Sequence, residues 1–222
     1  MNKLNHIAFI MDGNGRWGKK RNKGRNYGHL KGVETVKHIV KSSIKFKIPI
    51  VTFYVFSSEN WKRPKKEISF LFKIIKNYFI KEIDSVIKQG IKVNIFGNIN
   101  GLSKNLRKIF NKSTKLTKKN KIIIVNLAIN YGAKNEIIYA AKQSKKNISL
   151  KNIEKKLYTK NLPHPDILIR TGGHQRLSNF MLWQLAYSEL FFLKKLWPDF
   201  NSRDLLSIIN KYKKSKRNFG AI

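Results

Sequence analysis

The chain has 222 residues, a length typical of one domain, and its 41% hydrophobic residues are enough to form a full core. Lys and Arg number 47 against 12 Asp and Glu, and the resulting net charge of +35 favours anionic partners such as nucleic acid, an anionic membrane surface or phosphorylated small molecules. The absence of cysteine excludes disulfides, thiolate metal sites and a cysteine nucleophile, and no apolar run approaches the ~20 residues that span a bilayer.

The first predicted strand is the apolar segment Ile7 to Met11, which runs directly into Asp12-Gly13-Asn14-Gly15-Arg16. A carboxylate suits a metal ion, and the free backbone N–H groups of a glycine loop suit an anion. The segment therefore suggests a metal-assisted phosphate or diphosphate site. Asp-Gly pairs are also common in ordinary turns, so this segment alone leaves both interpretations open.

Helical and strand patterns alternate along the rest of the chain. A basic, glycine-containing loop is predicted from Trp17 to Gly28. Predicted helices cover about 29–46, 67–88, Ser103 (as a cap) to 116, 134–145, 150–157 and 202–212, with a turn and short helix at 179–187. Predicted strands cover 50–56, 91–96, 122–129, 166–169 and an edge strand at 190–193.

This alternation favours an α/β fold with a mostly parallel central sheet flanked by helices on both faces. In such sheets ligands bind outside the carboxyl ends of the strands. Polar segments follow four predicted strands: Asp12-Gly13, Ser57 to Asn60, Asn130 to Gly132 and Arg170 to Gly173. If the sheet is parallel, these four segments meet at one edge.

Five arginines lie in the predicted loops near that edge: Arg16, Arg25, Arg63, Arg170 and Arg176. The planar fork of arginine matches phosphate oxygens in a way that lysine cannot, so the set favours anion binding. His29, at a predicted helix start, fits either a phosphate donor or a structural role. Asp12 and Glu189 are the acids best placed for Mg²⁺, which takes one or two carboxylates with phosphate oxygens and water, although Glu189 fits a solvated acid equally well.

The lysines are spread along the whole chain rather than clustered. A nucleic-acid footprint should concentrate on one face, so compositional bias is favoured and no specific nucleic-acid partner is expected. Two classes of function stay open on charge alone, an enzyme acting on phosphorylated substrates and a non-enzymatic binder of RNA or membrane.

Taken together, the motifs resemble the cis-prenyltransferase family and, within it, the bacterial undecaprenyl diphosphate synthases. The resemblance covers residues 1–222 as a single catalytic domain. It is carried by these segments: His6 to Trp17, Tyr27 to His29, Phe56 to Trp61 with Arg63-Pro64, Asn130 to Gly132, Asp166 to Gly173, Arg176 to Gln184, Ala186 to Leu190 and Trp197 to Phe200.

The resemblance implies a Mg²⁺-dependent enzyme that condenses isopentenyl diphosphate onto an allylic primer, usually farnesyl diphosphate. The implied product is a long-chain polyprenyl diphosphate, and undecaprenyl diphosphate, the lipid carrier for cell-wall glycan synthesis, is the first choice. A shorter product made by the same fold is the alternative. It further implies a hydrophobic tunnel, which we expect between the strand near Phe53 to Phe56 and the helix from Glu67, and a homodimer. We expect a cytoplasmic protein whose excess lysines allow peripheral contact with the inner face of the membrane.

The implied site residues fall into sets. Asp12 and Asn60 are the catalytic pair, and Asp12 and Glu189 hold Mg²⁺. The substrate-binding residues are Gly13, Asn14, Gly15, Arg16, Trp17, Arg25 and His29 on the primer side, Arg170, Arg176, Leu177 and Ser178 on the isopentenyl side, and Ser57, Ser58, Glu59, Trp61 and Arg63 at the reacting end. The family uses the Asn60 position as a proton acceptor. Because an amide is a poor base at neutral pH, we expect Asn60 to orient substrate or water while a diphosphate oxygen takes the proton.

The chain departs from the family pattern at two places. His174-Gln175 stand where an acid and a histidine are usual, which is expected to alter how Arg170 is held and to slow turnover. Ala133-Lys134 replace Gly-Arg, a milder change. The segment Arg217 to Gly220 resembles the family's basic-Phe-Gly ending. Since every metal and diphosphate position is present, an active enzyme is expected.

Overall fold

The computed structural model describes residues 2–144 and 148–216, in which six strands and seven α-helices alternate. The strands are His6–Ile10 (β1), Ile50–Ser57 (β2), Ile91–Phe96 (β3), Ile123–Tyr131 (β4), Ile167–Arg170 (β5) and Glu189–Phe192 (β6). The helices are Asn14–Lys20 (α1), Gly24–Lys45 (α2), Lys65–Lys88 (α3), Lys104–Thr117 (α4), Ala133–Ser144 (α5), Leu150–Glu154 (α6) and Ser202–Lys214 (α7). Lys145, the end of one predicted helix, and the ending at 217–220 lie outside the described residues.

The strands form one sheet in the order β3-β4-β2-β1-β5-β6, and every neighbouring pair is parallel. The α/β prediction is confirmed. The strands β2, β4 and β3 lie on one side of β1, whereas β5 and β6 lie on the other. A crevice forms where the strand order reverses in this way. The polar segments that follow β1, β2, β4 and β5 therefore share one edge of the sheet, as the sequence predicted.

Each face of the sheet carries its own core. Along β1, Ile7 and Phe9 face one core and Ala8 and Ile10 face the other, as the two-residue repeat of a strand requires. The first core is covered by apolar residues of α2, α3, α4 and α7, and the second by the start of α5 and a turn-rich segment around Phe180. Strands buried on both faces explain the continuous apolar runs in the sequence.

The prediction of a loop from Trp17 to Gly28 is wrong, because α1 and α2 cover this segment except for residues 21–23. Gly13, in the left-handed conformation at φ 107°, starts α1, so the expected glycine loop is the beginning of a helix. A β-carbon at Gly28 would lie 1.8 Å from the backbone oxygen of Asn14. The glycines thus allow the two helices to pack backbone to backbone. The sequence predicted a loop here because glycine generally destabilises helices.

Three smaller predictions also need correction. His29 does not open a helix, since α2 begins at Gly24. The segment 179–187 contains turns rather than a short helix, with Ser178, Asn179 and Met181 at positive φ. Ser58–Lys62 forms a 3-10 turn after β2 instead of an open loop. Within the described ranges, no helix combines the length and the hydropathy needed to cross a bilayer.

Candidate active site

A polar cleft of about 630 Å³ opens at the carboxyl edge of the sheet beside β1, β2 and β5. Most of the predicted site residues line it: Asp12, Gly13, Asn14, Gly15, Arg16, Arg25, His29, Ser57, Glu59, Asn60, Arg63, Arg170, Arg176 and Ser178. Further wall residues are Ile10, Met11, Tyr54, Val55, Leu71 and Asn179. The structure therefore brings together side chains that lie up to 169 residues apart in the sequence, from Ile10 to Asn179, in order to form one site rich in arginine.

Asp12 lies two residues beyond the end of β1, at the centre of the cleft wall. Its Oδ1 accepts a hydrogen bond from Nη2 of Arg16 at 3.2 Å, and its Oδ2 accepts one from Nη2 of Arg170 at 3.0 Å. The side chain is 27% exposed, so the carboxylate still faces the cleft. The Asp12 backbone oxygen accepts from the Thr171 hydroxyl at 2.8 Å. The position of the carboxylate is therefore fixed by both β1 and β5.

Arg170, the last residue of β5, is a buried cation with only 4% of its side chain exposed. Its Nη1 donates to the backbone oxygen of Arg176 and to Oγ of Ser178, the latter at 2.8 Å. These contacts and Asp12 hold Arg170 without an acid at position 174. Its buried Nε has no hydrogen-bond partner in the part of the chain that the structure describes. Buried polar groups are nearly always paired, so this unpaired Nε is an exception within an otherwise well-anchored side chain.

Glu67, in the first turn of α3, organises the opposite wall and was missed in the sequence. Its carboxylate accepts two hydrogen bonds from Arg25, each 3.0 Å, and one from Arg63 at 3.3 Å. These bonds, those of Arg25 first, hold the pKa of Glu67 below its usual value. The one available signal was an acid four residues after an arginine at a helix start, a spacing that brings side chains together.

His29 lies beside this cluster, with Nε2 3.4 Å from Oε1 of Glu67. Burial lowers the pKa of His29, although the nearby Glu67 carboxylate opposes that shift. The imidazole is therefore neutral at neutral pH. Its Nε2 is buried against the Glu67 carboxylate, so the imidazole is held in place by α3.

The 3-10 turn after β2 forms the part of the cleft wall between the Asp12–Arg170 pair and the group of side chains around Glu67. The backbone N–H of Ser57 donates to Oδ1 of Asn60 at 3.2 Å, which fixes the orientation of the Asn60 amide within the turn. Glu59 accepts a 2.7 Å hydrogen bond from Asn179. Burial opposes ionisation of Glu59, but this bond and those from its own turn lower its pKa overall. Asn179, which the sequence analysis overlooked, thus ties the turn to the segment after β5.

Four predicted substrate-binding residues do not line the cleft. Trp17 is buried, and its indole N–H donates to Asp199 at 2.7 Å. The indole N–H of Trp61 donates to Asn130 at 2.8 Å, away from the cleft. The other two residues outside the cleft wall are Ser58 and Leu177. These side chains support the elements that carry the site.

Within this chain Glu189 does not lie near Asp12, so the structure does not bring together the two carboxylates expected to hold Mg²⁺. Glu189 begins β6 and is level with Ile167 and Ile7 across the parallel register. Asp12 follows Ile7 by five residues, a separation on the order of 15 Å at the usual rise of a strand. The predicted edge strand at 190–193 begins directly after Glu189, but the sequence did not show that this strand runs parallel to β5. Within the described ranges, no cluster of three or more acidic or histidine side chains could hold a metal.

Two small apolar cavities, of about 120 and 80 Å³, lie behind the cleft between α2 and α3. The larger cavity shares wall residues with the cleft: Met11, Asn14, His29, Val55 and Leu71. The smaller cavity shares wall residues with the larger: Val36, Tyr78, Phe79 and Leu127. From the expected strand wall, Val55 lines the larger cavity, whereas Phe53 and Phe56 are buried in the core. Helix α2 supplies a further wall opposite α3. A polar site thus adjoins an apolar space.

The chain is similar to proteins of known family over nearly its full length. The undecaprenyl diphosphate synthase family model matches residues 10–220. An isoprenyl transferase of Helicobacter pylori is 46% identical, with the match covering 100% of this chain and 98% of the relative. An isoprenyl transferase of Rickettsia felis is 42% identical, covering 99% and 95%.

Two solved structures share the fold. Lavandulyl diphosphate synthase of Lavandula x intermedia, solved in complex with dimethylallyl diphosphate, superimposes with a TM-score of 0.93 at 33% identity, covering 97% of this chain and 98% of the other. A probable undecaprenyl diphosphate synthase of Campylobacter jejuni gives 0.86 at 32% identity, covering 99% and 100%. The cleft, the fold and these likenesses agree, and the chain belongs to the undecaprenyl diphosphate synthase family of cis-prenyltransferases, the isoprenyl transferases.

Proposed function

We propose that this isoprenyl transferase condenses isopentenyl diphosphate onto an allylic diphosphate primer, farnesyl diphosphate, and that repeated condensation yields undecaprenyl diphosphate. The observation that carries the proposal is the direct adjacency of an arginine-rich cleft and apolar cavities between α2 and α3. A substrate with a diphosphate head and a hydrocarbon tail needs both environments. The lavender relative, solved with an allylic diphosphate, supports the choice of primer class.

The primer's diphosphate is assigned to Arg25, His29 and Arg63. His29 lines both the cleft and the larger cavity, so a head group bound there directs its tail into the apolar space. The diphosphate of isopentenyl diphosphate is assigned to Arg170 with Arg176 and Ser178, across Asp12. Cationic side chains line the cleft on both sides of Asp12, with Arg25 and Arg63 on one side and Arg170 and Arg176 on the other, and this arrangement supports two anion subsites.

Mg²⁺ fits this site as an ion that arrives with the diphosphates. Asp12 offers a carboxylate to the cleft, and one protein carboxylate suffices when phosphate oxygens and water complete the coordination. Bound there by Asp12, Mg²⁺ would neutralise charge on the departing diphosphate.

In the proposed reaction, the allylic carbon–oxygen bond breaks and the diphosphate leaves with the electron pair. Arg25 and Arg63 stabilise that charge as fixed donors in a site partly shielded from water. The double bond of isopentenyl diphosphate attacks the allylic carbon, and a proton is lost to form the new double bond. Asn60 fixes the turn by accepting from Ser57. Because an amide is a poor base at neutral pH, a diphosphate oxygen takes the proton.

The growing chain is proposed to advance between α2 and α3, from the larger cavity to the smaller. The wall of this path is formed by aliphatic and aromatic side chains such as Val36, Phe79 and Leu127, which suits a hydrocarbon. The two cavities form the beginning of the proposed tunnel. The length of the tunnel then determines the chain length at which elongation stops.

A homodimer through β6 is also proposed. This strand is at the edge of the sheet, and Leu190 on it is 44% exposed while Tyr187 beside it is 69% exposed. Exposed sheet edges with apolar side chains favour association. Sedimentation at micromolar concentration should give a dimer mass; a monomer mass would contradict this proposal.

The reaction is tested by incubating the protein with farnesyl diphosphate and isotope-labelled isopentenyl diphosphate, followed by extraction into organic solvent. Label should enter the organic phase only when both substrates are present, and the new double bonds should be cis by NMR. Absence of extractable label, or trans double bonds, would refute the proposed function.

A further inference from the structure

We propose that Glu67 is a positioning residue that sets the affinity for the allylic diphosphate, by holding Arg25, Arg63 and His29 as one wall. The inference rests on the proposed function. Glu67 is not part of the cleft wall itself, and its side chain is 10% exposed. It therefore acts through the cationic side chains in front of it, rather than through contact with substrate.

The geometry of Arg25 shows what Glu67 does. Nε and Nη2 of Arg25 both donate to the Glu67 carboxylate, in a bidentate pair. The opposite side of the guanidinium packs on Gly15, where a β-carbon would lie 2.8 Å from both Cζ and Nη1. The Arg25 guanidinium is thus held between α3 and the first turn of α1. A bidentate pair fixes the plane of a guanidinium, so Nη1 is aimed at the glycine segment beside Asp12.

Glu67 also connects two separate pieces of the site. Arg25 and His29 belong to α2, whereas Arg63 ends the 3-10 turn after β2. The Glu67 carboxylate contacts all three. Arg25 and Arg63 are 42% and 35% exposed, so without Glu67 their long side chains would be free to adopt many rotamers and would lose entropy on binding a diphosphate.

The other half of the site is independent of Glu67. Arg170 is held by Asp12, Ser178 and the backbone of Arg176. Loss of the Glu67 carboxylate should therefore weaken binding of the allylic diphosphate and leave binding of isopentenyl diphosphate nearly unchanged. A general structural role would change both.

The test compares Glu67→Gln with Glu34→Gln, a matched control that breaks the exposed Lys31–Glu34 pair on the outside of α2. The binding readout is calorimetric titration of the full chain with farnesyl diphosphate alone, and the kinetic readout is the KM for each substrate. For Glu67→Gln we expect the Kd and KM for farnesyl diphosphate to rise by about tenfold or more, because a charged bidentate partner of Arg25 is lost. The KM for isopentenyl diphosphate should stay within about twofold of the wild-type value. Glu34→Gln should match the wild type.

A second variant, Glu67→Asp, keeps the charge with a shorter reach and should recover part of the affinity. Unchanged or tighter binding of farnesyl diphosphate by Glu67→Gln, or an equal rise in both KM values, would overturn the inference. Failure of the wild-type protein to bind farnesyl diphosphate or to transfer label would refute the proposed function instead, so the two failures are distinguishable.

Discussion

At the scale of single residues, the site depends on a few charges that each serve two neighbours. The Asp12 carboxylate faces the cleft and is also the counterion of Arg170, which is almost fully buried. Glu67 similarly neutralises cations on two elements. In a chain with only 12 acids, these carboxylates give the arginines fixed directions and leave other donors for substrate.

Replacing Asp12 separates its two roles. Asp12→Asn keeps the shape and an oxygen acceptor for Arg170, but it removes the charge that suits a metal ion. We expect transfer of label to fall by about 100-fold or more, the scale of losing one electrostatic contact to a developing charge, with little change in the urea midpoint of unfolding. Asp12→Ala should lose activity and also about 1–3 kcal/mol of stability, since buried Arg170 then has neither a carboxylate nor an amide oxygen at position 12 to accept its hydrogen bond. Near wild-type transfer by either variant would contradict the role given to Asp12.

At the scale of elements, a polar ladder crosses the sheet beneath the site. Nε2 of His6 lies 2.7 Å from the Thr52 hydroxyl, Asn126 donates to that hydroxyl at 2.9 Å, and Asn94 donates to Asn126 at 3.0 Å. The ladder thus joins β1, β2, β4 and β3. Buried polar networks that are fully paired help to specify one arrangement of strands.

The buried His6 in this ladder should make the stability of the protein depend on pH. Burial lowers the pKa of His6 to about 4 from 6.5. Between these two pH values the unfolded chain binds more protons at His6 than the folded chain does. The free energy of unfolding is therefore unaffected by His6 above about pH 6.5 and falls as the pH drops toward 4. The slope should reach about 1.4 kcal/mol per pH unit, measured by urea unfolding. His29 contributes in the same direction. A His6→Gln variant should show a shallower slope, and an unchanged slope would contradict this prediction.

The gap between α2 and α3 is predicted to control product length. Val36 on α2 lines both apolar cavities, so Val36→Phe should fill the proposed path and shorten the product by one or more C5 units, measured by reversed-phase chromatography. Ile80→Phe is the control, since Ile80 is 55% exposed on α3 and lies outside both cavities. A product of unchanged length from Val36→Phe would place the tunnel elsewhere.

At the scale of the whole molecule, the sequence predicted the sheet and the edge where the site lies, because apolar strands followed by polar segments carry that information locally. It did not predict α1 and the start of α2, because the glycines there serve close packing between helices. Glu67 was missed since its partners come from α2 and from the turn after β2. Glu189 was misplaced because the direction of an edge strand is set by its neighbours, here β5.

The net charge of +35 is also a property of the whole molecule. We predict peripheral binding to anionic membranes, where a hydrophobic product would be delivered. The protein should sediment with phosphatidylglycerol vesicles at low salt, and it should be released at about 0.5 M salt because screening shortens the reach of surface charges. Sedimentation with neutral phosphatidylcholine vesicles is the control. Equal binding to both vesicle types, or none to either, would contradict the prediction.

The central claim is that the cleft and the cavities behind it extend an allylic diphosphate into a long polyprenyl chain with the help of Mg²⁺. The most direct measurement is chromatographic sizing of the labelled product made from farnesyl and isopentenyl diphosphates, with Mg²⁺ and with excess chelator. We expect a polyprenyl product near C55 with Mg²⁺ and none with chelator. The same product in both conditions, or no product in either, would contradict it.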